Sequence, residues 1–415
     1  MMAAALRLAG GSARSAARPF AGTAQVPRRW LAATPETIAA LNNGHPRNNV
    51  PESVKAKVGM DLHHRPSHPL TTIKAGIADA FASLPAGEGG IARPKFKLFD
   101  DESPIVTVKQ NFDDLLAPPD HVMRQPSDTF YVDEERLLRC HTSAHQTEKL
   151  REGNTAFLVA ADCYRRDEID ATHYPVFHQV EGLRVFGPDE LPPGLPCDAT
   201  HPETRDFVCR DLRACLDHMV DGLFGADVER KWSDDYFPFT DPSFELEIQY
   251  NGKWLELLGC GMVHRDIMTN CGLGDRVGWA FGIGLERVAM ARFGIPDIRL
   301  FWTDDERFHK QFDGSMDTRF ESYSKYPPCN KDVAFWTPPG LHANDVYETI
   351  RETAGDLVES VELIDEFTHP KTGRHSTCYR VCYRSMDRSL TNAEVDLLQE
   401  QVRDRLSNSL GVELR

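Results

Sequence analysis

The sequence predicts an α+β protein with two sheet-bearing parts, and three observations predict it. Residues 156–186 hold two strand-like runs around a polar tip. Residues 244–258 hold two more, joined by Asn251-Gly252. After residue 321 the elements run strand, helix, strand, strand, helix, strand. The chain has 415 residues, and domains usually run to about 100–200 residues, so two or three are expected.

The first 34 residues stand apart. They contain Arg7, Arg14, Arg18, Arg28 and Arg29, with no acid before Glu36, in an Ala-, Ser-, Gly- and Leu-rich background. Such composition reads as a leader for delivery to a mitochondrion or plastid. Arginines break its apolar stretches, so a secretory signal fits poorly. A tail with no address is the plainer alternative. Residues 35–60 read as a polar entry segment with turn chemistry at Asn42-Asn43-Gly44. A helical pattern from His68 follows through Ile73, Ile77 and Phe81.

In the first hairpin, Ala156 to Ala161 is a buried strand by composition, and Pro175 to Phe186 returns after the tip at 167–174. A helix is expected over 202–224, opened by Thr200 with Glu203 as a capping box and ended by Gly225. Asn-Gly between alternating runs is the strongest short hairpin signal. Gly278 to Met290 begins as a strand and turns helical at Leu285. In the C-terminal part, strands at 332–336, 357–367, 377–383 and 412–414 alternate with helices from Asp345 and Thr391, the latter with Glu394 as a capping box. That order, βαββαβ, is ferredoxin-like.

Composition excludes several classes. Apolar residues are 41% and charged residues 27%, ordinary for a globular protein. No stretch approaches the roughly 18–20 apolar residues of a membrane helix. The net charge of −16 argues against indiscriminate phosphate binding, so any RNA must be held by local basic surfaces and shape. None of the ten cysteines forms C-x-x-C. Buried free thiols fit better than a zinc site.

Four strings can carry chemistry. Gly282-Ile-Gly-Leu-Glu-Arg287 ends a strand on two glycines and starts a helix bearing an arginine, suited to phosphate. Arg165 ends a buried strand at the hairpin tip. Gln179 and Glu181 share one strand face, an amide and an anion fit for an ammonium group. His141 and His145 lack the usual third zinc ligand. Beside them Ser143 and Gln146 suit substrate binding, with no G-x-S-x-G elbow to make Ser143 a nucleophile. Phe237-Pro238-Phe239 can line an apolar pocket by edge-to-face contacts. Each string alone also fits a plain turn, a solvated strand face or ordinary core.

Together they form a pattern. Residues 165–186 resemble motif 2 of the class II aminoacyl-tRNA synthetases, 278–290 resemble motif 3, and Asn111 to Pro118 resembles motif 1. His-Thr-Ser (141–143), Asp-Ala-Thr-His (170–173), Phe-His-Gln-Val-Glu-Gly (177–182), Phe-Pro-Phe (237–239) and Trp279 to Arg287 are similar to phenylalanyl-tRNA synthetases. The similarity to the single-chain organellar form covers roughly 45–415. It implies an antiparallel-sheet catalytic domain at 47–320 and a ferredoxin-fold anticodon-binding domain at 324–415.

By the same resemblance, Arg165 and Arg287 contact ATP phosphates, with Thr172, His173 and Tyr174 on the loop beside ATP. Gln179 and Glu181, with Val180 between them, bind the amino-acid ammonium group. Ser143, Ala144, His145 and Gln146 lie alongside. Phe237, Phe239, Ala280 and Phe281 shape the ring pocket, and Glu256 sits near ATP and its Mg²⁺. Lys371, Arg374, Arg380 and Arg384 are candidates for tRNA, or else a solvated charged edge. Motif 2 often has Glu two places after its arginine; here Asp167 leaves that contact open.

The implied activity is ATP-dependent attachment of phenylalanine to tRNA(Phe) by a monomer without editing, in the mitochondrial matrix, a plastid or both. One rival is a catalytically silent RNA-binding protein on the same fold. A second is a ligase that passes its acyl group to another acceptor.

Overall fold

A computed structural model describes residues 33–250, 252–322 and 326–415. The expected leader lies outside the described residues except at its end, where Thr34 caps the helix Pro35–Leu41. The entry segment is therefore more ordered than its polar composition implies. Leu41, Val50, Val54 and Val58 anchor it in the main core.

Among the described residues nine strands form the first part: β1 (Lys97–Phe99), β2 (Ile105–Thr107), β3 (Arg136–Leu138), β4 (Ala156–Tyr164), β5 (Val176–Phe186), β6 (Arg230–Asp235), β7 (Thr240–Tyr250), β8 (Lys253–Val263) and β9 (Val277–Gly284). Seven make one sheet in the order β1-β4-β5-β9-β8-β7-β6, and β2 pairs with β3. Only β1 against β4 is parallel in that sheet. The sequence hairpins are both present: β4 pairs with β5, and β7 with β8 through Tyr250 opposite Lys253. Asn251 itself lies outside the described residues, while Gly252 holds the positive φ of the turn.

One face of this sheet is covered by helices. In Pro69–Ala82 the buried Leu70, Ile73, Ile77 and Phe81 recur at helical spacing. Pro202–Phe224 crosses beside it, burying Phe207, Leu212, Leu216 and Met219. Its expected capping box is absent. Thr200 bonds to Asp198 instead, and Pro202 opens the helix without a side-chain cap.

A polar link runs through the apolar layer. Asp211 on this helix accepts from Arg184 of β5 (3.1 Å), the indole N–H of Trp279 in β9 (2.9 Å) and Arg93 (2.6 Å). Two arginines and an indole let one carboxylate stay buried.

The C-terminal part follows the expected order. Strands β10 (Cys329–Trp336), β11 (Val358–Thr368), β12 (His375–Tyr383) and β13 (Glu413–Leu414) form a sheet in the order β11-β12-β10-β13. Helices Ala343–Ala354 and Asn392–Leu410 cover one face. Thr391 and Glu394 make the predicted capping box. The two parts meet on the tip of the β4–β5 hairpin. Ile169 is buried in the C-terminal core. Its carbonyl accepts from Val361 N (2.9 Å), and the carbonyls of Asp167 and Glu168 accept from Arg351 (2.8 and 3.2 Å).

Gly182 shows how tightly the sheet and helix layer fit. A Cβ there would lie 2.1 Å from the Phe281 ring and 3.0 Å from Leu158. Gly182→Ala is expected to cost about 1–3 kcal/mol by overpacking. Urea unfolding followed by circular dichroism should show an earlier midpoint with an unchanged slope; an unchanged midpoint would mean the ring moves aside freely.

Candidate active site

Strand register assembles the site on the sheet face opposite the helices. Gln179 pairs with Gly284, Glu181 with Gly282 and Leu183 with Ala280. Gly282 in turn pairs with Gly259 of β8. Directly opposed residues share a face, so two anion- or amide-bearing positions stand beside a row without bulky side chains. A Cβ at Gly282 would meet nothing within 4 Å. The result is a cavity of about 510 Å³.

Its walls hold most of the residues singled out above: Ser143, Gln146, Arg165, Thr172, His173, Tyr174, Gln179, Glu181, Phe237, Phe239, Glu256, Ala280 and Arg287. Three expected residues point elsewhere. Val180 faces the helix side, because side chains alternate along β5. Ala144 packs in a small core with Phe112 and Leu137. His145 is turned away toward Glu102 and Glu148. Phe281 borders the cavity, yet its ring stacks beneath the sheet on Phe81 at 5.2 Å.

At the cavity floor the Ser143 hydroxyl donates to Glu181. The other Glu181 oxygen and both polar atoms of the Gln146 amide are buried without a protein partner. Burial pushes the Glu181 carboxyl up to about 8, against the pull of bonds from Ser143 and Thr142. Among the described residues no cation pairs with it. A carboxyl, a hydroxyl and an open amide thus converge on an empty polar corner.

Above this corner the Phe237 and Phe239 rings lie 5.8 Å apart and nearly parallel, at 13°. They stack rather than meeting edge to face as expected. Ala280 is buried close by.

The two arginines are held differently. Arg165 donates through Nε to Cys140 O (2.8 Å), and its guanidinium lies 5.1 Å from the Phe177 ring. Arg287 reaches Glu256 Oε1 at 2.9 Å. Neighbouring Glu286 is buried and accepts from both His178 N (2.8 Å) and His178 Nδ1 (2.7 Å). On the hairpin tip, Asp170 accepts from Thr172 N, His173 N and His173 Nδ1. That last bond raises the imidazole's affinity for its proton. The Asp167 carboxylate caps Glu168 N at 2.9 Å and lines the cavity.

Phe177 and Glu245 are among the lining residues to which the sequence reading assigned no role. Phe177 offers a half-buried ring beside Arg165, and its position beside Gln179 on one strand face was the available signal. Glu245 joins Glu256 at the rim. Desolvation and then Glu256 and Asp235 raise its carboxyl, a proximity invisible before strands pair. Contrary to expectation, two carboxylates do surround His145. Arg139 lies 3.0 Å from its Nε2. Since Arg can only donate, the proton sits on Nδ1, which therefore cannot ligate a metal. The segment 111–118 forms short turns of helix, with Phe112, Leu115 and Ala117 against the cavity.

Of the tRNA candidates, three are tied to acids: Arg374 to Glu413 (2.6 Å), Arg380 to Asp332 (2.9 Å) and Arg384 to Glu359 (2.6 Å). Lys371 is exposed.

Comparison with known proteins shows the family of the chain. Residues 58–188 and 203–312 match the family model of the tRNA synthetases class II core domain (F). Residues 324–415 match the ferredoxin-fold anticodon binding domain. The phenylalanine–tRNA ligase, chloroplastic/mitochondrial, of Arabidopsis thaliana is 52% identical, covering 89% of this chain and 83% of that protein. The mitochondrial phenylalanine–tRNA ligase of Dictyostelium discoideum is 48% identical over 88% and 89%. The one from Mus musculus is 44% identical over 91% and 89%. The chain belongs to the organellar, single-chain phenylalanine–tRNA ligase family of class II aminoacyl-tRNA synthetases.

Proposed function

We propose that the chain activates phenylalanine with ATP and transfers it to the 3′ end of tRNA(Phe) for organellar translation. The observation that carries this reading is the pairing of the polar corner at Glu181 with the ring slot of Phe237 and Phe239. It offers one end for an ammonium group and one for an aromatic ring. The leader composition and the mitochondrial and chloroplastic relatives support delivery to a mitochondrion, a plastid or both. We take the enzyme to act as a monomer, divided at 47–320 and 324–415, with no editing.

In the first step a phenylalanine carboxylate oxygen attacks the ATP α-phosphorus, and pyrophosphate leaves. In the second the terminal ribose hydroxyl attacks the adenylate carbonyl, and AMP leaves. Arg165 and Arg287 would meet phosphate oxygens as charge shifts between them. Phe177 offers a face on which a purine can stack. Catalysis then rests on positioning and charge, with no protein nucleophile. Glu245 and Glu256 form an all-oxygen, strongly anionic pair that suits Mg²⁺ bound with ATP. The ion would neutralise phosphate charge there.

The deciding experiment is ATP–pyrophosphate exchange with each of the twenty amino acids. Exchange should require phenylalanine and be much weaker with tyrosine. Arg287→Ala should lower it by about 10²–10³, the scale for removing one preorganised charge-stabilising donor, without changing the circular dichroism spectrum. Near-normal exchange in that variant would overturn the assignment, and no exchange with any amino acid from folded parent protein would favour the silent RNA-binding reading.

The ring slot generates its own expectation. Apolar walls exclude an added group weakly, and Ala280 limits the depth of the slot. Ala280→Gly should raise the use of para-chlorophenylalanine relative to phenylalanine. An unchanged ratio of kcat/KM for the two would move Ala280 out of the ring site.

Glu181 predicts a pH dependence. Its folded-state affinity for a proton is raised to about 8, so the empty site holds a neutral acid at pH 7. An ammonium group binds the ionised form. Phenylalanine affinity should therefore strengthen from pH 6 toward 8, by up to about tenfold per unit. Binding at pH 7 should release a proton. The sign for stability is opposite: the empty protein should lose stability as pH rises toward 8, because the unfolded chain is already ionised. Calorimetric titration in buffers of different ionisation enthalpy reads the proton release directly, and Glu181→Gln should abolish it.

A further inference from the structure

One aromatic side chain at the cavity mouth has nothing to hold it. Tyr236 lines the cavity and is 78% exposed, more than any other large apolar side chain among the described residues. Among those residues its ring has no ring or cation partner, and its hydroxyl has no hydrogen bond. The other aromatic walls are engaged: Phe177 with Arg165, Tyr174 with Trp302, Phe112 with Arg124, and Phe237 with Phe239. The next most exposed large apolar side chain, Val122 at 65%, sits between His121 and Met123, which also line the cavity. The mouth therefore carries open apolar surface that the rest of the molecule does not cover.

The base beneath the Tyr236 ring is fixed. Tyr236 follows β6 in the turn that leads to β7. Phe237 N donates to the Ser243 hydroxyl at 3.2 Å, and Thr240 N donates to Phe237 O at 3.2 Å. The Phe237 ring fills the place a side chain on Gly259 would take: a Cβ there would lie 2.7 Å from it. A tyrosine has few side-chain torsions, so ordering its ring on such a base costs little entropy. The surroundings are acidic. Asp235 precedes the ring, and Glu245 and Glu256 stand at the same rim. A phosphate backbone gains no attraction from them, so what Tyr236 offers a partner is an aromatic face.

We infer that Tyr236 is a positioning residue for the second step, stacking on the terminal adenine of tRNA at the cavity mouth. The inference rests on the aminoacylation reading above and deepens it by naming a residue that serves the transfer alone. In that step the terminal ribose oxygen bonds to the adenylate carbonyl carbon. The bond from that carbon to the phosphate oxygen breaks, and AMP leaves with the electron pair and takes up the hydroxyl proton. The hydroxyl must reach the carbonyl inside the cavity, so the base on the same ribose is left at the mouth. Unpaired RNA bases stack on aromatic side chains in this way. A stacked base holds its ribose in one orientation, and orientation lowers the barrier to transfer. No RNA takes part in the first step, so the ring is idle there.

The test compares two reactions of the full chain, pyrophosphate exchange and transfer of phenylalanine to tRNA(Phe). Tyr236→Ala should lower kcat/KM for tRNA about tenfold more than it lowers exchange, the order of one lost base stack. Tyr236→Phe and Tyr236→Trp should stay within about threefold of the parent, since a stacking face remains. A structural role would depress both reactions alike; an equal fall in both, or no fall in either, would overturn the inference. Equilibrium binding gives an independent reading. By fluorescence anisotropy the parent should hold tRNA(Phe) ending in CCA about tenfold more tightly than the same RNA trimmed to CC. Tyr236→Ala should hold the two alike. A parent that does not distinguish them, or an alanine variant that still does, would overturn the inference. Phenylalanine-dependent exchange by the parent is scored separately: its absence would break the functional reading, and the binding comparison would still decide the role of Tyr236.

Discussion

The cavity-bearing face of the large sheet depends on one buried carboxylate. Glu286 opens the helix that follows β9 and accepts two bonds from His178, one from its backbone and one from its ring. His178 lies between Phe177 and Gln179; Glu286 immediately precedes Arg287. The pair therefore fixes the distance between the strand that presents the polar corner and the helix that presents the arginine. Both members are almost wholly removed from water. Removing one partner of such a buried pair typically costs about 3–5 kcal/mol, because the other is left uncompensated. Glu181 and Arg287 owe their relative placement to a contact that need not touch any ligand.

The second dependency runs between the two parts of the chain. The tip of the β4–β5 hairpin carries Thr172 and His173 into the cavity, but three of its carbonyls are satisfied by donors from the C-terminal part. The Tyr174 hydroxyl likewise donates to Asp356 at 2.7 Å, and Arg166 pairs with Asp345 at 3.0 Å. Buried backbone groups need partners, and here the partners lie far along the sequence. The order of the tip is thus supplied in part by the neighbouring domain.

Much of this was legible in the sequence for local reasons. Hairpins announced themselves by alternation and Asn-Gly, and the C-terminal topology by the order of short, well-capped elements. Gln179 and Glu181 were readable as a pair because strand periodicity alone puts them on one face. What the sequence hid was long-range. Glu245 gains its meaning only when β7 and β8 pair, and Glu286 only when it reaches His178. Neighbours in sequence also misled: Ala144, His145 and Val180 sit beside site residues but turn away, since adjacent side chains on a strand or tight turn diverge. Thr200 failed as a cap because Asp198 claimed its hydroxyl first.

The cavity is made as much by missing side chains as by present ones. At Gly282 a methyl group would collide with nothing in the protein, yet it would project into the cavity proposed for the substrate. Such a position is silent to folding and loud to chemistry. A substitution there would behave as a tethered competitive inhibitor, present at every molecule and impossible to dilute away. Screens that score variants by abundance or melting temperature would pass it as benign, while the organelle would accumulate a well-folded, inert enzyme.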